Sequence, residues 1–427
     1  MPERLHDDTI PPDRKPRVAI LGGGPIGLEA AAALADRGYR VVVYEAGQVA
    51  DSVRRWGHVR LFSPWRMNRS GLGARLVAEA APALPSPDPD ACPTGAEFVA
   101  AYLEPLARSR LLRDCVREGC RVIAASRSGL LRAERVGDPD RASHPFRVLI
   151  EEGGSERIEA ADVILDATGT YRNPAPTGDG GIPAPGEAAA ASAPEGRLVR
   201  HLEEFAGAAR AYYAGERVLV VGAGYSAATA VRELARLAAE APGTQVTWAL
   251  RGALPPLPEI PADPLPEREA LARDANRLAA VPPPGFTLLP GHSVERFEAD
   301  PGGLTVTLRG REGLRRERFG RVVSLTGYGP DSSIYRGLQV HECYATRGPM
   351  KLAALLAGEG SGDCLALPET GPEALRSPEP GFFILGAKSY GTNSAFLLRN
   401  GLAQVRDLAG LLAAEVPLRK TTGSAGS

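Results

Sequence analysis

The chain has 427 residues, of which 44% are hydrophobic and 24% are charged, and its formal net charge is −1. At roughly 150 residues per domain, this length predicts three domains or two large ones. A near-neutral charge argues against nucleic acid as a partner and against a polybasic membrane-binding segment. The 49 glycines and 38 prolines exceed the usual share, so many turns are expected, and some glycines are expected to have specific roles.

The scarcity of lysine and the scattered spacing of cysteine argue against several kinds of catalytic and metal site. Only four lysines occur beside 46 arginines, and two of the four lie in the terminal segments, so the buried lysine of Schiff-base chemistry is poorly supported. The five cysteines form no Cys-x2-Cys pair, so no metal site is expected; they are Cys92, Cys115, Cys120, Cys343 and Cys364. Residues 1–16 lack the apolar core of a signal peptide, and no apolar run of about 18 residues occurs. A reduced, cytoplasmic protein that does not contact a membrane is therefore expected.

A strand, a glycine-rich turn, a helix and a second strand are predicted in that order near the N-terminus. The apolar run Val18–Leu21 favours a strand that is buried on both faces of a parallel sheet. Gly22, Gly24 and Gly27 follow with G-x-G-x-x-G spacing. An alanine-rich helix comes next, and then a second apolar strand that ends at Glu45.

Each glycine in this spacing has its own physical role. Gly22 allows the tight turn, Gly24 lets the backbone approach a pyrophosphate, and Gly27 allows close packing of helix on strand. Free N–H groups and the dipole at the helix N-terminus attract the pyrophosphate. Glu45 stands where its carboxylate can accept hydrogen bonds from a ribose diol. The segment therefore predicts a dinucleotide site.

A second copy of this pattern begins at Gly222. An apolar strand over residues 217–221 leads into Gly222, Gly224 and Ala227, and alanine is accepted at the third position. After the next helix, the following strand ends in Arg251 rather than in an acid. Because arginine pairs with a 2′-phosphate that an acid would repel, this copy predicts NADPH in preference to NADH.

Further apolar strands run into Thr-Gly turns over residues 161–170 and 321–329, one after each dinucleotide segment. The Pro-, Gly- and Ala-rich stretch 173–194 is the expected domain junction. The two dinucleotide motifs, together with Asp166-Ala167-Thr168-Gly169, resemble those of the flavin-containing monooxygenases and their thioredoxin-reductase-like relatives. The resemblance covers roughly residues 16–412.

This resemblance implies an α/β protein with two Rossmann-like three-layer domains. The first binds FAD, the second binds NADPH, and the second is inserted into the first. The expected FAD domain covers residues 16–195 and 331–415, the NADPH domain covers 196–330, and 416–427 form a disordered tail. The resemblance also implies a returning strand at 380–387 and a closing helix that begins at Asn393.

The sequence departs from the relatives in several places. Many of them carry Gly-Asp at the returning strand, where the aspartate holds the flavin ribityl chain, but here Ala387 follows Gly386. The Baeyer–Villiger fingerprint is only vaguely echoed near His201, so that activity is not assigned. Cys115 and Cys120 have C-x4-C spacing, but they lie too far beyond the first glycine motif to match the redox pair of the disulfide reductases.

The resemblance also implies that the segment Trp56–Asn68 lies along the flavin, because it follows the strand that ends at Glu45, and in the relatives the chain after this strand does so. The segment contains two of the three tryptophans, whose rings could shield the flavin. His58, Arg60 and Asn68 are the candidate catalytic residues; a structural loop built on core aromatics is the alternative. Asn393 is expected either to help direct the closing helix at the flavin or simply to cap that helix. The expected FAD contacts are Gly22, Gly24, Pro25, Ile26, Gly27, Glu45, Ala46, Trp56, Val122, Ala167, Thr168, Gly169, Gly386 and Asn393. The expected NADPH contacts are Gly222, Gly224, Ser226, Ala227 and Arg251.

The expected function is that of an FAD-dependent NAD(P)H oxidoreductase. The favoured form is a monooxygenase that uses O2 to oxygenate a soft nitrogen or sulfur nucleophile of a small molecule. One alternative is a reductase that passes electrons to a quinone, a disulfide or a protein. Another is a non-catalytic flavin redox sensor, which two intact dinucleotide turns disfavour because a sensor needs no hydride donor. A homodimer is compatible with the sequence.

Overall fold

The computed structural model describes residues 15–358 and 371–416. They form two compact units: residues 173–328 make up the second, and the described residues before and after that segment make up the first. The second unit is therefore inserted into the first, as expected, and each unit contains a five-stranded sheet. Cys364 and residues 417–427 of the expected tail lie outside the described residues.

The first unit opens with the predicted strand, turn, helix and strand. Its elements before the insertion are β1 (Arg17–Leu21), α1 (Pro25–Asp36), β2 (Arg40–Tyr44), α2 (Asp51–Arg55), α3 (Trp65–Asn68), α4 (Gly71–Ala80), α5 (Gly95–Phe98), α6 (Glu104–Ala107), β3 (Val116–Arg117), β4 (Cys120–Arg127), β5 (Phe146–Glu152), β6 (Ser155–Ala161) and β7 (Val163–Asp166). After Arg17, β1 is apolar because its alternate residues enter two different cores. Val18 and Ile20 pack with α1, whereas Ala19 and Leu21 pack on the other face of the sheet.

The second unit repeats this plan. Its elements are α7 (Glu187–Ser192), β8 (Leu198–Val199), α8 (Arg210–Tyr213), β9 (Arg217–Val221), α9 (Tyr225–Glu240), β10 (Gln245–Leu250), α10 (Pro266–Ala280), β11 (Phe286–Pro290), β12 (Ser293–Asp300), β13 (Gly303–Gly310), β14 (Gly313–Phe319) and β15 (Arg321–Ser324). The five-stranded sheet has the order β11-β10-β9-β15-β8, and its pairs are parallel. An antiparallel meander, β12-β13-β14, leads into β15, much as β4-β5-β6 leads into β7.

The chain then returns to complete the first unit. The returning elements are α11 (Met350–Gly358), β16 (Phe382–Ile384) and α12 (Leu398–Glu415). β16 pairs in parallel with β7, which gives the sheet order β16-β7-β1-β2-β3. The carboxyl ends of these parallel strands meet at one edge of the sheet, where such folds bind their ligands. Within the described residues, no helix is both long and apolar enough to cross a membrane.

The first unit boundary lies between residues 172 and 173, earlier than the expected position after residue 195. Residues 173–195 pack with the second unit because their polar groups find partners there. Arg200 donates to Glu187 at 2.7 Å, Gly178 bridges to Val294, and the N–H of Phe297 donates to the carbonyl of Pro185. Composition marked this stretch as a junction but carried no information about which unit it joins.

The closing helix α12 begins at Leu398 rather than at Asn393. The side chain of Asn393 accepts a hydrogen bond from the N–H of Ala395 at 2.9 Å, which gives the backbone a turn in place of a helix. Leu397 is extended, with φ −119° and ψ 151°, and it forms the N-cap.

Candidate functional site

The first glycine-rich turn joins β1 to α1 and leaves one backbone face open. Gly22 has a φ of +100°, in the region that favours glycine, and a Cβ there would lie 2.7 Å from the Ala167 carbonyl oxygen. A Cβ on Gly27 would lie 2.0 Å from the Gly22 carbonyl oxygen, so the helix packs closely on the turn. A Cβ on Gly24 would meet no heavy atom within 4 Å. The N-terminus of α1 therefore faces open space that a phosphate can approach.

The carboxylate of Glu45, directly after β2, binds the backbone of the glycine-rich turn and that of the chain just after Glu45. Its Oε2 accepts a hydrogen bond from the N–H of Gly23, and its Oε1 accepts one from the N–H of Gly47, each at 2.8 Å. Arg172 lies 3.9 Å from Oε1 and pairs with Asp51 at 2.8 Å. A carboxylate oxygen accepts two donors, so each oxygen of Glu45 can accept one more, such as a ribose hydroxyl.

A cavity of about 1210 Å³, including its open mouth, lies at the carboxyl ends of β1, β2, β7 and β16. We call it the first cavity. Ten of the predicted FAD contacts line it: Gly22, Gly24, Pro25, Ile26, Glu45, Trp56, Ala167, Thr168, Gly169 and Gly386. The sequence did not indicate other lining residues, among them Asp51, Tyr171 and Phe396, because no spacing pattern marks them.

Four predicted FAD contacts are not among the residues that line the first cavity. Gly27 is buried under the turn and Ala46 is exposed beyond the end of β2. Val122 lies in β4, within the antiparallel meander. Asn393 is half-buried and holds its own local turn.

The three candidate catalytic residues lie beside the first cavity but do not line it. Arg60 is exposed; its guanidinium donates to the Cys92 carbonyl and lies 3.9 Å from Glu97. Asn68 is buried, and its amide donates to the Ser63 carbonyl at 2.9 Å while accepting from the Ser63 hydroxyl at 2.6 Å. His58 is half-buried in the turn after α2. The cavity wall in this segment consists of Trp56, Leu61, Phe62 and Ser63.

A buried ion pair stands behind the first cavity. The Nζ of Lys388 lies 2.6 Å from Oδ2 of Asp166, and both side chains are fully buried. Nζ also donates to the hydroxyl of Thr168, a lining residue, at 3.0 Å. The sequence reasoning missed this pair, although the scarcity of lysine is a signal that could have drawn attention to Lys388.

The second glycine-rich turn, between β9 and α9, repeats the geometry of the first. A Cβ on Gly222 would lie 2.3 Å from the Leu325 carbonyl oxygen, whereas a Cβ on Gly224 would meet no heavy atom within 4 Å. A cavity of about 940 Å³, which we call the second cavity, opens there and is lined by Gly222, Gly224 and Arg251. Ser226 and Ala227 are not among its lining residues: Ser226 is exposed, and Ala227 is buried.

The wall opposite the second turn is a loop that the sequence reasoning assigned to the junction. Ala175–Gly178 and Gly181 line the second cavity. Glu187, fully buried, holds this loop: its Oε1 accepts from the N–H and the hydroxyl of Thr177, each at 2.9 Å, and from Arg200 at 2.7 Å. Its Oε2 accepts from the N–H of Ala184 at 2.8 Å.

No cysteine is among the described residues that line the first cavity. Cys115 and Cys120 are both free thiols. Burial raises the pKa of each thiol, which disfavours the reactive thiolate.

A model of the pyridine nucleotide-disulphide oxidoreductase family matches residues 17–50, which span β1, the first glycine-rich turn, α1 and β2. No curated protein sequence is significantly similar to this chain. Among solved structures, the bacillithiol disulfide reductase from Bacillus cereus is 22% identical with a TM-score of 0.66, over 94% of this chain and 100% of that one.

Two similar structures are oxygenases. The ornithine N-hydroxylase from Kutzneria sp. 744 is 16% identical with a TM-score of 0.62, over 94% of this chain and 100% of that one. A double mutant of the flavin monooxygenase from Stenotrophomonas maltophilia is 22% identical with a TM-score of 0.58, over 94% and 99% of the two chains. These likenesses confirm the fold expected from the sequence: the chain shares the α/β fold of these three enzymes.

Proposed function

We propose that this protein is an FAD-dependent NAD(P)H oxidoreductase that binds FAD in the first cavity and NADPH in the second. The observation that carries this proposal is the repeated turn. In both units the middle glycine, Gly24 or Gly224, presents open backbone at the N-terminus of a long helix, while the preceding glycine is closely packed. A backbone built this way twice in one chain fits two pyrophosphate-containing dinucleotides.

The residues of the first cavity fit FAD. Its lining combines the open turn at Gly24, the carboxylate of Glu45 and the apolar side chain of Trp56, which suit the pyrophosphate, the ribose and the flavin ring of one dinucleotide. Glu45 would accept hydrogen bonds from the hydroxyls of the adenosine ribose, and the N-terminus of α1 would bind the pyrophosphate. Trp56 and Phe62 supply an apolar wall, which keeps water from the reacting part of a bound flavin.

Arg251 supports NADPH as the hydride donor. It lines the second cavity directly after β10, where a 2′-phosphate lies in folds of this type. Its guanidinium would offer two parallel donors to that phosphate, a contact that NADH cannot make.

For the chemical step, we favour oxygenation of a soft nitrogen or sulfur nucleophile of a small molecule. The similar ornithine N-hydroxylase structure holds reduced FAD, NADP+ and L-ornithine, and the similar Stenotrophomonas protein is a flavin monooxygenase. Bound FAD would supply the chemistry, namely acceptance of a hydride from NADPH and transfer of its two electrons to O2; with protons from water, one oxygen atom would go to the product and the other to water. The residues of this chain would bind and orient the two cofactors and shield the flavin from water.

A reductase is the second candidate, because the Bacillus cereus protein is a disulfide reductase. The absence of cysteine from the described lining of the first cavity, together with the raised pKa values of Cys115 and Cys120, disfavours a reductase that works through its own dithiol.

The test is a turnover experiment with ¹⁸O2, NADPH and a panel of primary amines, thiols and thioethers. A monooxygenase places one ¹⁸O atom in a product for each NADPH consumed. Release of all consumed O2 as hydrogen peroxide with every compound, together with rapid reduction of disulfides or quinones, would establish the reductase instead. Gly224→Val is the matched control: its side chain would enter the open space of the second turn, so the variant should retain FAD but not be reduced by NADPH.

A further inference from the structure

The Asp166–Lys388 pair lies directly behind the wall of the first cavity. Lys388 Nζ donates both to Asp166 Oδ2, at 2.6 Å, and to the hydroxyl of Thr168, at 3.0 Å. Thr168 itself lines the cavity, as do Gly386 and Ala387, which directly precede the lysine. The charged groups of Lys388 and Asp166 are therefore separated from the first cavity by one side chain, that of Thr168.

Both charges are held in place. Asp166 Oδ1 accepts from the N–H and the hydroxyl of Thr168, at 3.1 and 2.7 Å. Ile384 aligns with Asp166 across the β16–β7 pair, so the strand register brings Lys388 to the aspartate. Lys388 Nζ also lies 5.1 Å from the centroid of the Tyr335 ring, a favourable cation–π contact. With both side chains fully buried, neither charge can turn toward solvent.

Stability alone does not account for this pair. Removing two charges from water costs about as much free energy as their attraction returns, and apolar side chains of similar size commonly pack as well or better. In a poorly polarisable interior, however, a fixed charge acts strongly on any other charge that forms nearby. A cofactor whose charge changes during its reaction will sense such a pair.

We propose that Asp166 and Lys388 set the reduction potential of FAD bound in the first cavity. This inference rests on the proposed function. A hydride carries two electrons and one proton, so FAD that accepts one gains one negative charge. Lys388 stabilises that charge and raises the potential, whereas Asp166 opposes it and lowers the potential. The two residues act by position and charge and require no contact with the reacting atoms.

The test compares the flavin midpoint potentials of Asp166→Asn, Lys388→Met and the double variant, measured by anaerobic titration against reference dyes. Lys388→Met should lower the potential and Asp166→Asn should raise it. Each single change should alter the ratio of reduced to oxidised flavin about tenfold at a fixed potential, or about 30 mV for a two-electron couple. The double variant should fall between the two.

Loss of packing alone would not move the potential in opposite directions, so the signs separate an electrostatic role from a structural one. Arg141→Met is the matched control, because Arg141 is an equally buried cation of the first unit that pairs with Glu379 and does not line the first cavity. It should leave the potential unchanged. If Lys388→Met does not fold, the difference in midpoint potential between Asp166→Asn and the double variant measures the effect of Lys388 instead.

The outcomes separate this inference from the proposed function. Wild-type protein that binds no flavin would overturn both. Protein that binds and reduces FAD, but whose two single variants keep the wild-type potential or shift it in the same direction, would overturn the inference alone.

Discussion

Replacing Glu187 with glutamine should weaken NADP+ binding and destabilise the second unit. The fully buried carboxylate accepts four hydrogen bonds, two from Thr177 and one each from Ala184 and Arg200. Glutamine has nearly the same shape but offers one acceptor oxygen and a donor NH2 group. Whichever way the amide turns, its NH2 group faces a group that also donates.

The size of the effect follows from these contacts. A buried donor left without an acceptor costs about 1–3 kcal/mol, and the charge-assisted bond from Arg200 adds about 1.5–3 kcal/mol. We expect a loss of about 3 kcal/mol in the free energy of unfolding, which for a unit of this size lowers the melting temperature by about 6–12 °C. Thr177 lines the second cavity and would lose its partner, so part of the binding free energy of NADP+ would be used to order this loop. The affinity for NADP+ should therefore fall by about tenfold or more.

The assay pairs urea unfolding with calorimetric titration of NADP+ and of FAD. Asp263→Asn is the matched control, because Asp263 is a buried carboxylate of the same unit that binds Arg268 at 2.6 Å and does not line the second cavity. The control should lose stability but keep its NADP+ affinity, and both variants should keep their FAD content. Equal NADP+ affinity in Glu187→Gln and wild type would refute the reasoning that this loop shapes the site.

Three further predictions follow from single contacts. Gly24→Val should abolish FAD retention and leave the stability of the flavin-free protein unchanged, whereas Gly27→Ala should lower that stability by about 1–3 kcal/mol because its Cβ would overlap the turn. Flavin absorbance measures retention and urea unfolding measures stability; equal behaviour of the two variants would contradict the geometry. Burial raises the pKa of Glu29, so this group favours the folded state at low pH, and its contribution is lost as pH rises through the folded pKa. The stability of wild type relative to Glu29→Gln should therefore fall as the pH rises above the ordinary carboxyl pKa, and a pH-independent difference would refute the assignment. Arg251→Ala should raise the KM for NADPH at least tenfold and leave that for NADH unchanged; equal effects on both would remove the 2′-phosphate assignment.

The dinucleotide turns could be predicted from the sequence because their determinants are local. In the first of them, the strand, the three glycines at fixed spacing and the helix are consecutive in the sequence, and the steric limit on Gly27 comes from the preceding Gly22. The residues at the ends of the second strands, Glu45 and Arg251, are placed by the same local unit. That is why the spacing indicated both residues and why both line the cavities.

Only the tertiary structure determined which distant groups share a buried environment. Asp166 and Lys388 are 222 positions apart, and Thr177 meets Ser324 across 147 positions. No spacing rule relates such residues, because their contacts depend on strand order in the sheets and on where the chain re-enters its first unit. The same reason explains why the composition of residues 173–195 indicates a junction but not the unit that these residues join. Burial and hydrogen-bond partners decide that question, and both exist only once the sheets have formed.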